Sequence, residues 1–237
     1  MKINQNEIHI YTLNFSEDNS LLEKYNHLLS VDERKKIDQY KFPNDRKRAS
    51  ETFIYRRLII SNYLAVNPLM IEFNKTIFGK PVLIEPQNSG LQFNYSHTER
   101  KFLFALSKNS EIGVDIEFIK AFTDIDSLSE KYFSNDEFSF YKALSTYELK
   151  LNFFYRVWTR KEALHKGIGT GINDEMKNIS VIDNDDPNKS ELSIDFNNQI
   201  WQIEDLQLQD NFIGSIAYLS PIRKTMIYFD TFAYDFI

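Results

Sequence analysis

Two spacings of apolar residues alternate along this chain, and both halves use them in the same order. Ile8, Ile10, Leu13 and Phe15 alternate loosely with polar neighbours, which predicts an opening strand over residues 7–15. Ser30-Val-Asp-Glu33 has the spacing of a capping box, in which a serine hydroxyl and a glutamate carboxylate each take a backbone N–H of the first turn. A helix over residues 31–40 is therefore expected. Phe42-Pro43-Asn44-Asp45 breaks it, and a long helix is predicted over 45–64, with Phe53, Leu58, Ile60 and Leu64 among its apolar positions and Asn67-Pro68 at its end. Short strands and turns follow: a strand over 71–73, the turn Phe78-Gly79-Lys80-Pro81, and strands over 91–95 and 102–107.

The second half repeats this order. Residues 112–117 read as a strand and 124–131 as a helix. Ser134-Asn-Asp-Glu137 is a second capping box, opening a helix to about residue 144. A long helix over 147–166 is stopped by Gly167-Ile-Gly169, and strands are expected over 179–182, 192–196, 199–206, 212–219 and 226–233. Phe102-Leu-Phe-Ala-Leu-Ser107 loosely resembles Ile216-Ala-Tyr-Leu-Ser220. The repeated order predicts an α+β fold made by pseudo-twofold duplication, with halves at residues 1–107 and 108–237.

Composition narrows the class. At 237 residues, 42% of them hydrophobic and 15% aromatic, the chain has enough apolar surface for a large core or two ordinary ones. Cysteine is absent, which removes disulfides and thiolate metal sites and leaves oxygen and nitrogen donors for any metal. The first residues lack a secretory-type apolar core and no later apolar run is long enough to span a bilayer, so a cytoplasmic protein without a membrane partner is expected. A net charge of −6 argues against a general nucleic-acid binder. Yet nine basic residues fall within positions 34–57, and a basic patch on an acidic chain points to a discrete anionic ligand.

The candidate chemistry lies in two stretches. Asp115 and Glu117 are two apart on a strand and project from one face; alone, such a pair is more often a wet strand face than a site. Trp158, Glu162 and Lys166 are spaced by four on a helix, where Glu162 and Lys166 alone make an ordinary surface pair. Lys161 and His165 make a second such pair and are expected on the surface. If strand and helix meet, three carboxylates and a lysine converge, and that much charge calls for a cation or an anionic ligand. Mg²⁺ prefers oxygen ligands and is commonly held by a few carboxylates together with substrate phosphate. Ser96 and His97, at the end of a strand, offer hydroxyl and imidazole groups to a phosphate. A serine hydrolase reading of Ser96 and His97 lacks a Gly-x-Ser-x-Gly elbow.

Gly113-Val-Asp115-Ile-Glu117, then Trp158-x-x-Lys161-Glu162-Ala-x-x-Lys166, preceded in order by Gly79-Lys80-Pro81 and Phe93-Asn-x-Ser96-His97-Thr98, resembles the 4′-phosphopantetheinyl transferase superfamily. Length and duplication resemble its larger, monomeric surfactin-type branch. The resemblance implies transfer of 4′-phosphopantetheine from coenzyme A to a serine of an apo acyl or peptidyl carrier protein, with 3′,5′-ADP leaving. It also implies Mg²⁺ on Asp115, Glu117 and Glu162, Glu162 as general base, and Lys166 on the phosphates. Lys80 and Pro81 would lie beside the adenine, and Ser96, His97, Arg48 and Lys36 would serve the nucleotide phosphates. The chain departs from the pattern at Glu33, an acid where a second basic phosphate contact is expected. The carrier is expected to dock on the apolar, partly flexible stretch 118–133 around Phe122. The competing reading from another class is a non-catalytic coenzyme A or nucleotide-binding module, which has little use for three convergent carboxylates.

Overall fold

Strand β1 (Glu7–Asn14) uses both of its faces: Ile8 and Ile10 enter one apolar layer, Tyr11 and Leu13 another. The computed structural model describes residues 1–87, 89–171 and 174–232. After β1 come α1 (Ser20–Tyr25), α2 (Val31–Asp38), α3 (Pro43–Leu64), β2 (Glu72–Lys75), β3 (Pro81–Glu85), β4 (Leu91–His97) and β5 (Lys101–Lys108). The second half runs β6 (Ile112–Phe118), α4 (Ile125–Tyr132), α5 (Asn135–Ala143), α6 (Tyr147–Ile168), β7 (Glu191–Phe196), β8 (Gln199–Asp205), β9 (Phe212–Leu219) and β10 (Thr225–Phe229).

The strands form sheets of order β10-β1-β5-β4 and β6-β9-β8-β7, with β2 and β3 as a separate hairpin. Apart from the parallel pair of β1 and β10, neighbours are antiparallel. The two larger sheets bury a shared layer: Ile8, Ile10, Leu103 and Ala105 from the first meet Ile112, Val114, Ile116 and Ile216 from the second. Outside this layer, α3 covers the first sheet through Ile59 and Ile60, and α6 covers the second through Val157, Ala163 and Leu164. The layers therefore run helix, sheet, sheet, helix, as the duplication predicts.

Both capping boxes form: the Ser30 and Ser134 hydroxyls accept from the Glu33 and Glu137 N–H groups, and each carboxylate accepts the serine N–H in return. Three expectations need correction. The long helix α3 begins at Pro43, not 45, because proline at the first helical position gives up an N–H that has no partner there anyway. No strand is predicted directly after the turn at 78–81, yet Pro81 opens β3 there, a position where a ladder donor can be spared. No strand forms over 179–182. There the Lys161 ammonium donates to the carbonyls of Met176 and Ile179, the Val181 N–H donates to Glu137, and the Val181 carbonyl accepts from Arg160. Charged side chains satisfy the backbone groups that a ladder would have used. The last strand pairs with β1, so chain from the second half completes the first sheet; its expected end at Ala233 lies outside the described residues.

Candidate active site

Glycine 113 brings the two chemical stretches together. A Cβ there would stand 2.0 Å from the Ala163 carbonyl oxygen and 2.2 Å from the Gly167 nitrogen, so only glycine lets α6 lie with its backbone against β6. Gly167 fits the same contact from the helix side, where a Cβ would meet the Trp201 ring at 2.6 Å. With Ile112, Val114 and Ile116 turned to the intersheet core, alternation turns Asp115 and Glu117 to the side that α6 covers. Glu162 and Lys166, one turn apart, descend on them from the helix.

Asp115 is buried, and its Oδ1 accepts from the Lys166 ammonium at 2.6 Å and from the Ser96 hydroxyl at 2.9 Å. Lys166 also donates to Ser96 Oγ at 3.0 Å, closing a three-membered network between β4, β6 and α6. Burial, and then the nearby Asp115 carboxylate, push both Glu117 and Glu162 up to about 7. Lys166 acts against both shifts, and for Glu117 so do Lys120 and a hydrogen bond from the Trp158 indole. Asp115 Oδ2 and Glu162 Oε1 are buried without hydrogen-bond partners. The acids are thus electrostatic neighbours. Among the described residues, however, no three acids or imidazoles stand close enough to form a ready metal cage, and Asp115 is held by Lys166.

The first half supplies the opposite wall. His97 and Arg48 line a cavity of about 430 Å³ with Arg100, Glu117 and Lys120. Burial, then Lys166 and Arg48, hold the His97 imidazole below its ordinary range, and Arg48 pairs with Asp45. Lys80 and Pro81 line a second cavity of about 230 Å³ with Phe78, Tyr95, His165 and Lys166. The Lys80 ammonium does not point freely into it, because it donates to Glu111 and to the Gly167 carbonyl, both at 2.7 Å, and so ties the first half to the second. Lys36 lines neither cavity; it stands on α2 over the Phe53 ring.

Lys161 and His165 are corrected from the surface to the interior. Lys161 pairs with buried Glu137 at 2.9 Å, and the His165 imidazole, pushed down to about 4 by burial and Lys161, bonds the Thr170 hydroxyl. Phe122 is also less free than expected: its ring packs edge-on against Phe154 and Tyr155, and the Tyr147 hydroxyl takes up both its N–H and its carbonyl. Sequence reasoning did not see the packing role of Gly113. The signal was available, since a glycine inside an apolar strand marks a close backbone approach.

Residues 111–217 match the 4′-phosphopantetheinyl transferase superfamily, and residues 16–109 match the N-terminal region of 4′-phosphopantetheinyl transferase. Among curated proteins, the chain is 30% identical to the 4′-phosphopantetheinyl transferase HetI of Nostoc sp., over 89% of this chain and 87% of HetI. It is 27% identical to the 4′-phosphopantetheinyl transferase Sfp of Bacillus subtilis, over 67% of this chain and 68% of Sfp. The human L-aminoadipate-semialdehyde dehydrogenase-phosphopantetheinyl transferase is 27% identical over 64% of this chain, which spans about half (52%) of that relative's length. With both halves matched in order and a relative this similar over nearly its whole length, the chain belongs to the 4′-phosphopantetheinyl transferase superfamily.

Proposed function

We propose that this enzyme transfers 4′-phosphopantetheine from coenzyme A to a serine hydroxyl of an apo acyl or peptidyl carrier protein, with 3′,5′-ADP as the leaving group. The observation that carries the reading is the descent of Glu162 and Lys166 onto Asp115 and Glu117 across the glycine contact. Attack of a hydroxyl on phosphorus is promoted mainly by positioning and by neutralising charge, and this cluster has the groups for both.

A divalent cation such as Mg²⁺ fits the donor set. Asp115, Glu117 and Glu162 offer only oxygen donors, two of those oxygens are buried without partners, and burial followed by the Asp115 charge raises the proton affinity of the other two carboxylates. When bound it would offset negative charge on the pyrophosphate. Glu162, which faces the cluster from α6 with one carboxylate oxygen lacking a partner, would accept the serine proton, directly or through a water. Lys166 would meet the phosphates by exchanging its contact with Asp115 for one to the donor, while Ser96 keeps Asp115 oriented. Arg48 and His97 give the first cavity the character of a phosphate site, and Lys80 with Pro81 shapes the second for a nucleobase. In this reading residues 1–107 bind the nucleotide and 108–237 supply the acids. The protein acts as a cytoplasmic monomer; among the described residues no helix is long and apolar enough to cross a membrane. The carrier docks beside the 118–133 stretch, where Ala121, Thr123, Tyr141 and Lys150 line a groove of about 590 Å³.

The test is incubation with fluorescent coenzyme A, Mg²⁺ and a panel of apo carrier domains. Covalent label is expected on at least one carrier, and Asp115→Ala should abolish it with an unchanged circular dichroism spectrum. Full labelling by that variant contradicts the acid assignment. Binding of coenzyme A with no label on any carrier would instead favour the non-catalytic module.

A further inference from the structure

Strand β4 ends the sheet β10-β1-β5-β4, and strand β6 ends the sheet β6-β9-β8-β7, so each has one edge without a strand neighbour. Side chains, not a ladder, join these edges where the halves meet. Asn94 Oδ1 accepts from the Val114 N–H at 3.0 Å, and two residues further along β4 the Ser96 hydroxyl donates to Asp115 Oδ1 at 2.9 Å. Alternation explains the pair: Phe93 and Tyr95 turn into the core under α3, so Asn94 and Ser96 turn toward β6. Both contacts are buried.

Val114 immediately precedes Asp115 and is fully buried in the intersheet layer, where an N–H without a partner is costly. Asn94, itself 5% exposed, supplies the acceptor that a neighbouring strand would have supplied. The consequence reaches the acid cluster. Ser96 can orient the Asp115 carboxylate only while β6 keeps one height against β4, and the bond from Val114 to Asn94 sets that height. On the other side, Ser215, the cross-strand neighbour of Asp115, bonds Thr159 of α6 at 2.9 Å. Asp115 is thus held between a contact to β4 and a contact to α6. The Asn94 Nδ2 makes no hydrogen bond among the described residues, and the side chain lines the smaller cavity, so a direct contact with a bound donor is the alternative role for this residue.

We propose that Asn94 is a positioning residue for the transfer reaction, which caps the edge of β6 at Val114 and so holds Asp115 in register with Ser96, Lys166 and the acids beside it. The reaction rests on the transferase reading; the strand contact does not.

Asn94→Ala removes the acceptor, whereas Asn94→Asp keeps an oxygen at the same reach. Amide hydrogen exchange followed by NMR, without coenzyme A or carrier, reads the contact itself. Val114 should exchange about ten-fold faster or more in Asn94→Ala and near the wild-type rate in Asn94→Asp. Carrier loading is then measured at a temperature where circular dichroism shows Asn94→Ala fully folded. There kcat should fall about 10- to 100-fold with KM for coenzyme A within about two-fold, the size typical of losing a group that orients a ligand of a metal or catalytic site. Should Asn94→Ala not fold, Asn94→Ser, whose shorter side chain withdraws the acceptor but keeps the position polar, gives the same two readings. Unchanged protection of Val114 overturns the proposal. So does a raised KM with kcat unchanged, which would make Asn94 a donor contact, or a lowered melting temperature with both constants unchanged, which would make it structural only. A wild type that loads no carrier fails the transferase reading and the catalytic half of this one with it, while Val114 exchange still decides the strand contact.

Discussion

Where His9 of β1 meets Tyr63 of α3 through a hydrogen bond of 2.5 Å, the corresponding positions of the second half are Gly113 and Gly167, and backbone lies against backbone. The correspondence is set by one constant interval, which also relates Ser30 to Ser134, Pro43 to Tyr147 and Leu64 to Ile168. At that interval Tyr11 and Leu13 become Asp115 and Glu117, Leu58 becomes Glu162, and Asn62 becomes Lys166. One copy of the strand-and-helix layer is filled with aromatic and aliphatic side chains; the other is closed down by glycines and faced with charge. What both copies keep is the clamp beneath. Arg57 pairs with Glu33 and donates to the carbonyls of Pro68 and Ile71, while Lys161, at the matching position, pairs with Glu137 and donates to the carbonyls of Met176 and Ile179. Both copies keep the clamp, while the strand-and-helix layer above it carries buried charge in one copy and apolar side chains in the other.

The clamp gives the largest expected effect. Lys161→Met leaves the Glu137 carboxylate buried without its cation and should cost about 3–5 kcal/mol in urea unfolding. Lys161→Arg, which installs the first half's solution, should recover most of that; no recovery would mean that the two clamps are not equivalent. Next comes Gly113→Ala, which forces α6 away from β6. It should cost about 1–3 kcal/mol through overpacking and, by displacing Glu162 on the order of 1 Å, reduce carrier loading about 100-fold. The converted layer should also show itself in pH dependence. Glu117 and Glu162 hold their protons more tightly when folded than the ordinary 4.5, so their contribution is present at low pH and is lost as pH rises through about 7. Melting temperature in metal-free buffer should fall across that window, and Glu162→Gln should flatten the slope; an unchanged slope would remove Glu162 as a source. The smallest effect is at the tie between the halves. Lys80→Met or Glu111→Gln should cost under about 1 kcal/mol and raise KM for coenzyme A a few-fold with kcat unchanged.

The sequence made some of this visible and concealed the rest for physical reasons. Capping boxes are local and stereotyped, so α2 and α5 could be placed from Ser30 and Ser134 alone, and the long helices followed from their apolar spacing and stop signals. The acid pair on β6 was legible from alternation, because register is fixed by which residues face the intersheet core. Interior ion pairs were not legible: a lysine four residues before a histidine looks the same on paper whether the helix face meets water or a loop, and Lys161 was misplaced for that reason. The absence of a strand at 179–182 has the same origin, since only the folded chain shows that Lys161, Arg160 and Glu137 take up its backbone groups.

If chemistry resides in the acid-faced second copy while nucleotide binding draws on the first, Glu162→Gln should separate transfer from binding. Coenzyme A binding by calorimetry and carrier modification by mass spectrometry should be followed on the same preparation. Binding within about two-fold of wild type, with modification slowed roughly 100- to 10,000-fold, is the predicted result for loss of a general base. Modification at the wild-type rate would contradict it.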